Sequence, residues 1–93
     1  MFKTNTYFDN KVVSLAFNNE EGNATVGVMA AGEYTFATTS IEYMTVISGE
    51  MAVQLPGDDN WKTFKAYETF RVDAHQSFNV KVAEDTSYKC IYK

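Results

Sequence analysis

An all-β domain is the fold class this chain predicts, and three observations predict it. Apolar and polar residues alternate with period two along much of the sequence, helical periodicity is nearly absent, and turn-forming residues punctuate the short runs. Six Tyr and seven Phe strengthen the case, because rings suit a pleated, half-buried surface. Short strands at this spacing indicate a sandwich or barrel. At 93 residues the chain is expected to form a single domain, residues 1–93. A chain this short buries a modest share of its surface, so dimerisation is a natural way to add burial.

Val12 to Phe17 is the first expected strand, followed by a polar turn over Asn18–Asn23. Ala24 to Ala30 is the second. Ala31-Gly32 bends the chain into Glu33 to Thr38, and Ile41 to Ile47 follows as a strand rich in β-branched and aromatic residues. Ser48-Gly49-Glu50 is expected to be a tight hairpin leading into Met51 to Leu55. Pro56 to Asn60, with the only proline, is the clearest loop. Trp61 to Phe64 and Thr69 to Val72 flank a turn; Asp73 to Gln76 is another. Ser77 to Val82 and Thr86 to Tyr92 close the chain.

Alternate residues of a strand share a face. Tyr34, Phe36, Thr38 and Ser40 are therefore expected on one side, and Tyr88, Cys90 and Tyr92 on another common side. Phe70 and Val72 face together, which puts Arg71 opposite them.

Composition excludes several classes. The formal charge is −4, Arg71 is the only arginine, and seven lysines are scattered without a run, so no basic nucleic-acid footprint is present. Cys90 is the only cysteine, which rules out an intrachain disulfide and a Cys-based zinc site. The first eight residues lack the apolar core of a signal peptide, and no apolar run reaches membrane-spanning length. A cytoplasmic protein without membrane or nucleic-acid partners is the expectation.

Gly32 to Gly49, with Glu42 followed by six residues and then that closing glycine, resembles the first cupin motif. The resemblance implies a small jelly-roll-like barrel, a double-stranded β-helix. In metal cupins this strand would present histidines at about Thr38 and Ser40, with the glutamate at Glu42. Tyr67 to Phe78 has the spacing of the second motif, with Tyr67 and Asp73 at the usual glycine and proline and Phe78 at the third histidine. One carboxylate remains of four ligands, so no metal is expected.

A closer resemblance rests on Val26-Gly27-Val28-Met29, Gly32-Glu33-Tyr34-Thr35-Phe36, Glu42-Tyr43-Met44-Thr45-Val46-Ile47-Ser48-Gly49 and the ending Ala83 to Tyr92. These blocks resemble the small bacterial pyrimidine/purine nucleoside phosphorylases across essentially the whole chain. The resemblance implies a homodimeric pentosyl transferase. It would cleave purine and pyrimidine nucleosides with inorganic phosphate as co-substrate, giving free base and pentose 1-phosphate, with no cofactor.

Phosphorolysis passes through an oxocarbenium-like transition state, and phosphate is itself the nucleophile. Glu42 is the candidate catalytic group, a carboxylate able to accept ribose hydroxyls and stabilise positive charge; the structural alternative is a glutamate satisfied by backbone or lysine. Thr38 and Ser40 could donate hydroxyls to sugar or phosphate, or bond nearby backbone. Arg71 is the obvious phosphate fork, although parity turns it outward, where an ion pair is the alternative. His75 could protonate a leaving base or simply occupy an exposed turn. Phe36, Phe78 and Tyr88 could stack on a base or fill the core. Cys90 is expected to be a buried small hydrophobe. Two other readings stay open: a non-enzymatic cupin binding a small sugar or metabolite, and a metal-dependent cupin.

Overall fold

Period-two patterning becomes ten strands in a computed structural model that describes residues 1–93. They are β1 (Thr4–Tyr7), β2 (Val12–Asn19), β3 (Gly22–Met29), β4 (Gly32–Ala37), β5 (Glu42–Ser48), β6 (Glu50–Gln54), β7 (Lys62–Lys65), β8 (Thr69–Val72), β9 (Ser77–Val82) and β10 (Thr86–Tyr92). Every pairing is antiparallel. A six-stranded sheet runs β1-β2-β3-β10-β5-β8, and a four-stranded sheet runs β4-β9-β6-β7.

The facing sides of the two sheets make one hydrophobic cluster. Val12, Met29, Val46 and Cys90 contribute from the larger sheet; Met51, Val53, Phe78 and Val80 contribute from the smaller. Each fully buried side chain of this kind contributes about 1.5–3 kcal/mol relative to exposure. A file of rings runs from exposed Phe8 into the interior. Phe8 meets Tyr34 at 5.0 Å and Phe36 at 5.5 Å between centroids, Phe36 stacks on Phe78 at 5.6 Å, and Phe78 leads at 5.9 Å to Phe70. Phe64 ends the file, 4.8 Å from Phe70.

Two features differ from the sequence reading. Strand β1 was not expected, because its residues are nearly all exposed and so carry no hydrophobic alternation. It exists through backbone pairing to β2 in the register Thr4↔Leu15 to Tyr7↔Val12. Ser48-Gly49-Glu50 is a corner rather than a hairpin: β5 pairs with β10 and β8, whereas β6 pairs with β7 and β9. Gly49 turns the chain from one sheet to the other at φ 94°, and a Cβ there would lie 2.6 Å from Thr86 Oγ1. Both the conformation and the space require glycine.

No helix of the chain is long and apolar enough to cross a membrane.

Candidate functional site

The larger sheet and the edge strand of the smaller one line an open cavity of about 340 Å³. Its walls come from distant parts of the sequence. Strand β1 and the turn after it supply Tyr7 and Phe8, and β2 supplies Ser14. Exposed Thr35, Ala37 and Thr39, with half-buried Phe36, come from β4 and the segment following it. Strand β5 presents Glu42 and Met44, and β10 presents Tyr88 and Tyr92.

Register fixes the carboxylate. Glu42 sits opposite Val72 on one side and Tyr92 on the other, with its side chain directed between the sheets by the parity that buries Met44 and Val46. It forms no salt bridge; the two ion pairs of the chain are Arg71–Asp73 and Lys89–Glu21. Its one side-chain partner is the Cys90 thiol, whose Sγ donates to Oε1 at 3.5 Å. Burial pushes the Glu42 carboxyl up from the ordinary carboxylate range, and the thiol's hydrogen bond pulls part of the way back.

The phenols around it are held in neutral form. Burial pushes Tyr88 up to about 12, and burial likewise raises Tyr92, whose hydroxyl pairs with Thr25 Oγ1 at 3.0 Å. A Cβ on Gly27 would lie 2.8 Å from the Tyr88 hydroxyl, so the missing side chain makes room for that phenol. The turn that brings Phe8 over the cavity has three consecutive left-handed residues, Phe8 (φ 53°), Asp9 (φ 56°) and Asn10 (φ 68°). Asp and Asn tolerate that region best among residues with side chains.

The result is a chamber of rings and hydroxyls around one carboxylate. Sugar hydroxyls could bond to Glu42 and to the hydroxyls, while a planar heterocycle could lie against a ring. The family model of the pyrimidine/purine nucleoside phosphorylases matches residues 2–92. The chain belongs to that family. A pyrimidine/purine nucleoside phosphorylase of Alcanivorax borkumensis is 56% identical over 92 residues, 99% of this chain and 98% of that one. A relative of the same name from Pseudomonas putida is 56% identical over 93 residues, 100% of this chain and 99% of its own. Among solved structures, a Vibrio parahaemolyticus protein of unknown function superposes with a TM-score of 0.95 at 41% identity, covering 100% of this chain and 99% of that one. An RmlC-like cupin from Shewanella frigidimarina, 16% identical, gives a TM-score of 0.76 over 98% of this chain and 82% of its own. The fold is therefore a cupin-type barrel.

Of the family chain's sequence-derived candidates, Glu42, Phe36 and Tyr88 share the cavity. The others stand elsewhere. Strand β4 ends at Ala37, so parity no longer governs Thr38. Its buried Oγ1 donates to the Asp73 carbonyl at 2.6 Å and accepts from Gln76 N–H at 3.0 Å, clasping the turn before β9. Ser40 lies in the following bend, outside the lining. Arg71 is exposed, paired with Asp73 and 6.0 Å from the Tyr43 ring, as its opposition to buried Phe70 and Val72 requires. His75 is exposed in a turn at φ 61°, its N–H donating to the Thr38 carbonyl. Phe78 is a core residue behind Phe36 rather than a wall of the chamber.

The four positions where metal cupins would carry ligands hold Thr38, Ser40, Glu42 and Phe78. Thr38 is committed to backbone and Phe78 is apolar, and no three His, Cys, Asp or Glu side chains converge anywhere in the chain. This donor set does not fit a resident metal.

Tyr7, Phe8 and Ser14 are lining residues that sequence reasoning missed. Phe8-Asp9-Asn10 immediately before an alternating run is a turn signal, and it could have located the first two.

Proposed function

We propose that this protein is a nucleoside phosphorylase that transfers a pentosyl group from purine and pyrimidine nucleosides to inorganic phosphate. The observation that carries the reading is the match to the phosphorylase family over residues 2–92. A phosphate oxygen forms a bond to C1′ as the C1′–N bond breaks. The bonding pair leaves with the base nitrogen, which takes a proton, and the products are free base and pentose 1-phosphate. Phosphate is the co-substrate, and no cofactor enters the scheme.

Glu42 is the catalytic group of this reading. Its carboxylate accepts ribose hydroxyls and stabilises positive charge as it develops at C1′. Phe36 and Tyr88 bound the substrate, and Phe78 backs Phe36 through their stacked rings. Stacking discriminates weakly among bases, which accords with a substrate range spanning both classes. Thr38, Ser40, Arg71 and His75 are given no substrate contact.

The protein works in the cytoplasm as a homodimer. The outer face of β2 and β3 supports the second point. Val13 lies opposite Val28 and Leu15 opposite Val26, all four side chains being exposed, with Phe2 beside them. An apolar strip of this kind fits a protein–protein contact.

Purified protein incubated with inosine, adenosine, uridine or thymidine should release base only when phosphate is present, measured by chromatography. Glu42→Ala should fold and lose activity by about a hundredfold or more, which also excludes a contaminating enzyme. Failure to release base from any of the four would overturn the reading.

One observation favours a second reading, a non-enzymatic cupin that binds a small sugar or metabolite. No lysine, arginine or histidine lines the cavity, so a phosphate there would rely on hydroxyls and backbone N–H groups. Ligand-dependent thermal stabilisation without turnover would decide for it.

A further inference from the structure

Cys90 is fully buried in the middle of β10, between Tyr88 and Tyr92 on the inward face. A buried cysteine ordinarily behaves as a small hydrophobe. Here it has a specific polar partner across the sheet. On the neighbouring β5, Glu42 stands directly opposite Tyr92, and Cys90 stands opposite Met44. Cys90 and Glu42 are therefore diagonal neighbours on one face, a relation that long side chains bridge. Glu42 closes the gap, and its Oε1 accepts from Sγ at 3.5 Å.

Nothing else competes for that oxygen. Val72, from β8, is apolar, and no cationic group pairs with Glu42. The remaining titratable groups that face it are the Tyr88 and Tyr92 phenols of β10, with Tyr7 from β1 lining the same cavity. The Tyr92 hydroxyl is engaged with Thr25 and also lies against the Cys90 thiol.

We propose that Cys90 is a positioning residue for this site: its thiol donates to Glu42 Oε1 and thereby aims Oε2 at the substrate. The proposal rests on the phosphorylase reading for its catalytic consequence, though not for the contact itself. Burial, and next the charge of Glu42, push the thiol far above its ordinary range, so it remains a donor at any working pH and is no nucleophile. A weak donor suits a carboxylate that must also bind sugar, because it orients one oxygen without neutralising the charge.

Cys90→Ala removes the donor, and Cys90→Ser replaces it with a hydroxyl. Loss of one such bond should lower kcat/KM about threefold to tenfold in Cys90→Ala, mainly through kcat. The acid limb of its pH profile should move to higher pH, because the lost hydrogen bond favoured the charged carboxylate. Cys90→Ser should keep both values near wild type. A packing role alone would affect both variants alike and leave the pH profile in place.

Titration of the Glu42 carboxyl carbon by NMR supplies a readout independent of turnover, with the same displacement expected in Cys90→Ala. Should wild-type protein release no base, the activity reading fails while this titration still decides the Cys90 contact. Identical Glu42 titration in wild type and Cys90→Ala, or matching profiles in the two variants, overturns the proposal.

Discussion

Gly27→Ala reverses the usual rule for a glycine in a strand. Replacing such a glycine with alanine ordinarily stabilises by about 0.5–1 kcal/mol, because the backbone loses less freedom on folding. At this position the new Cβ would lie 2.7 Å from the Val13 carbonyl oxygen, 2.8 Å from the Tyr88 hydroxyl and 2.9 Å from Ser14 Cβ. All three fall well inside the roughly 3.5–4.0 Å at which non-bonded atoms rest comfortably. Two of these atoms belong to β2, paired to β3 through Ser14↔Gly27, so relief requires the ladder to part as well as the phenol to move. Overpacking of this kind costs about 1–3 kcal/mol, which exceeds the backbone gain. For a domain of this size each kcal/mol moves Tm by about 4–8 °C, so differential scanning calorimetry should find a fall of several degrees or more. Displacement of Tyr88 should also raise KM, since that ring bounds the cavity. Tyr88→Phe in the Gly27→Ala background removes one of the three contacts and should restore part of the loss, a coupling read by a double-mutant cycle. A Gly27→Ala protein as stable as wild type, or more stable, would refute the claim that Gly27 is a space-making residue.

Two further outcomes follow from the site. Burial raises the Glu42 carboxyl above the ordinary carboxylate range, so at pH values just above that range the folded state binds more protons than the unfolded state. The stability that this group contributes is present at low pH and lost as pH rises through the raised pKa; Glu42→Gln should remove that fall, its Tm advantage growing as pH rises above the ordinary carboxylate range, and parallel Tm–pH curves would contradict the assignment. Thr38→Val keeps the shape of the side chain but leaves the Asp73 carbonyl and the Gln76 N–H without their partner, so stability should drop by about 1–3 kcal/mol in urea unfolding while the folded enzyme keeps its kcat.

Strands with one face in the core were legible because burial imposes alternation: Thr69–Val72, Ser77–Val82 and Thr86–Tyr92 end where the sequence pattern ends. Strand β1 was not legible, since Thr4–Tyr7 lies at a sheet edge with little buried and is specified by backbone pairing alone. Gly49 announced a turn, but which sheet receives the chain after it depends on the partners of β5 and β6, and those are distant in sequence. The same division holds in the site. Glu42 and Phe36 came from the resemblance to the cupin motif, and Tyr88 from the aromatic row of its strand; all three lie on regular strands, where such a register carries over. Thr38 escaped parity because its strand stops one residue earlier, and a buried hydroxyl beyond a strand end is claimed by the nearest free backbone groups. Phe8 reached the cavity through a left-handed turn, a conformation that alternation cannot signal. Cys90 had no visible partner because diagonal contacts between β10 and β5 depend on a register shift at Ser87/Tyr88.

The cavity and the core compete for the same interior, and the rings show how the competition is resolved. Small barrels are normally filled by their own side chains. Here Phe78 occupies the place where metal cupins carry a histidine, and it joins Phe36 to Phe70 in a continuous file of rings that fills the barrel on that side. Glu42 lines the cavity with Phe8 and Phe36 at the outer end of the file, beside β10, where Gly27 withholds a side chain and the Tyr88 phenol takes the space. A carboxylate without a cationic partner in such surroundings opposes folding, as its raised pKa records. Residues that break the local rules of stability in this way are expected where function needs them. A weak thiol donor, neutral phenols and no lysine leave the charge of Glu42 largely uncompensated until a substrate arrives. In the proposed reaction, positive charge developing on the sugar would meet that carboxylate.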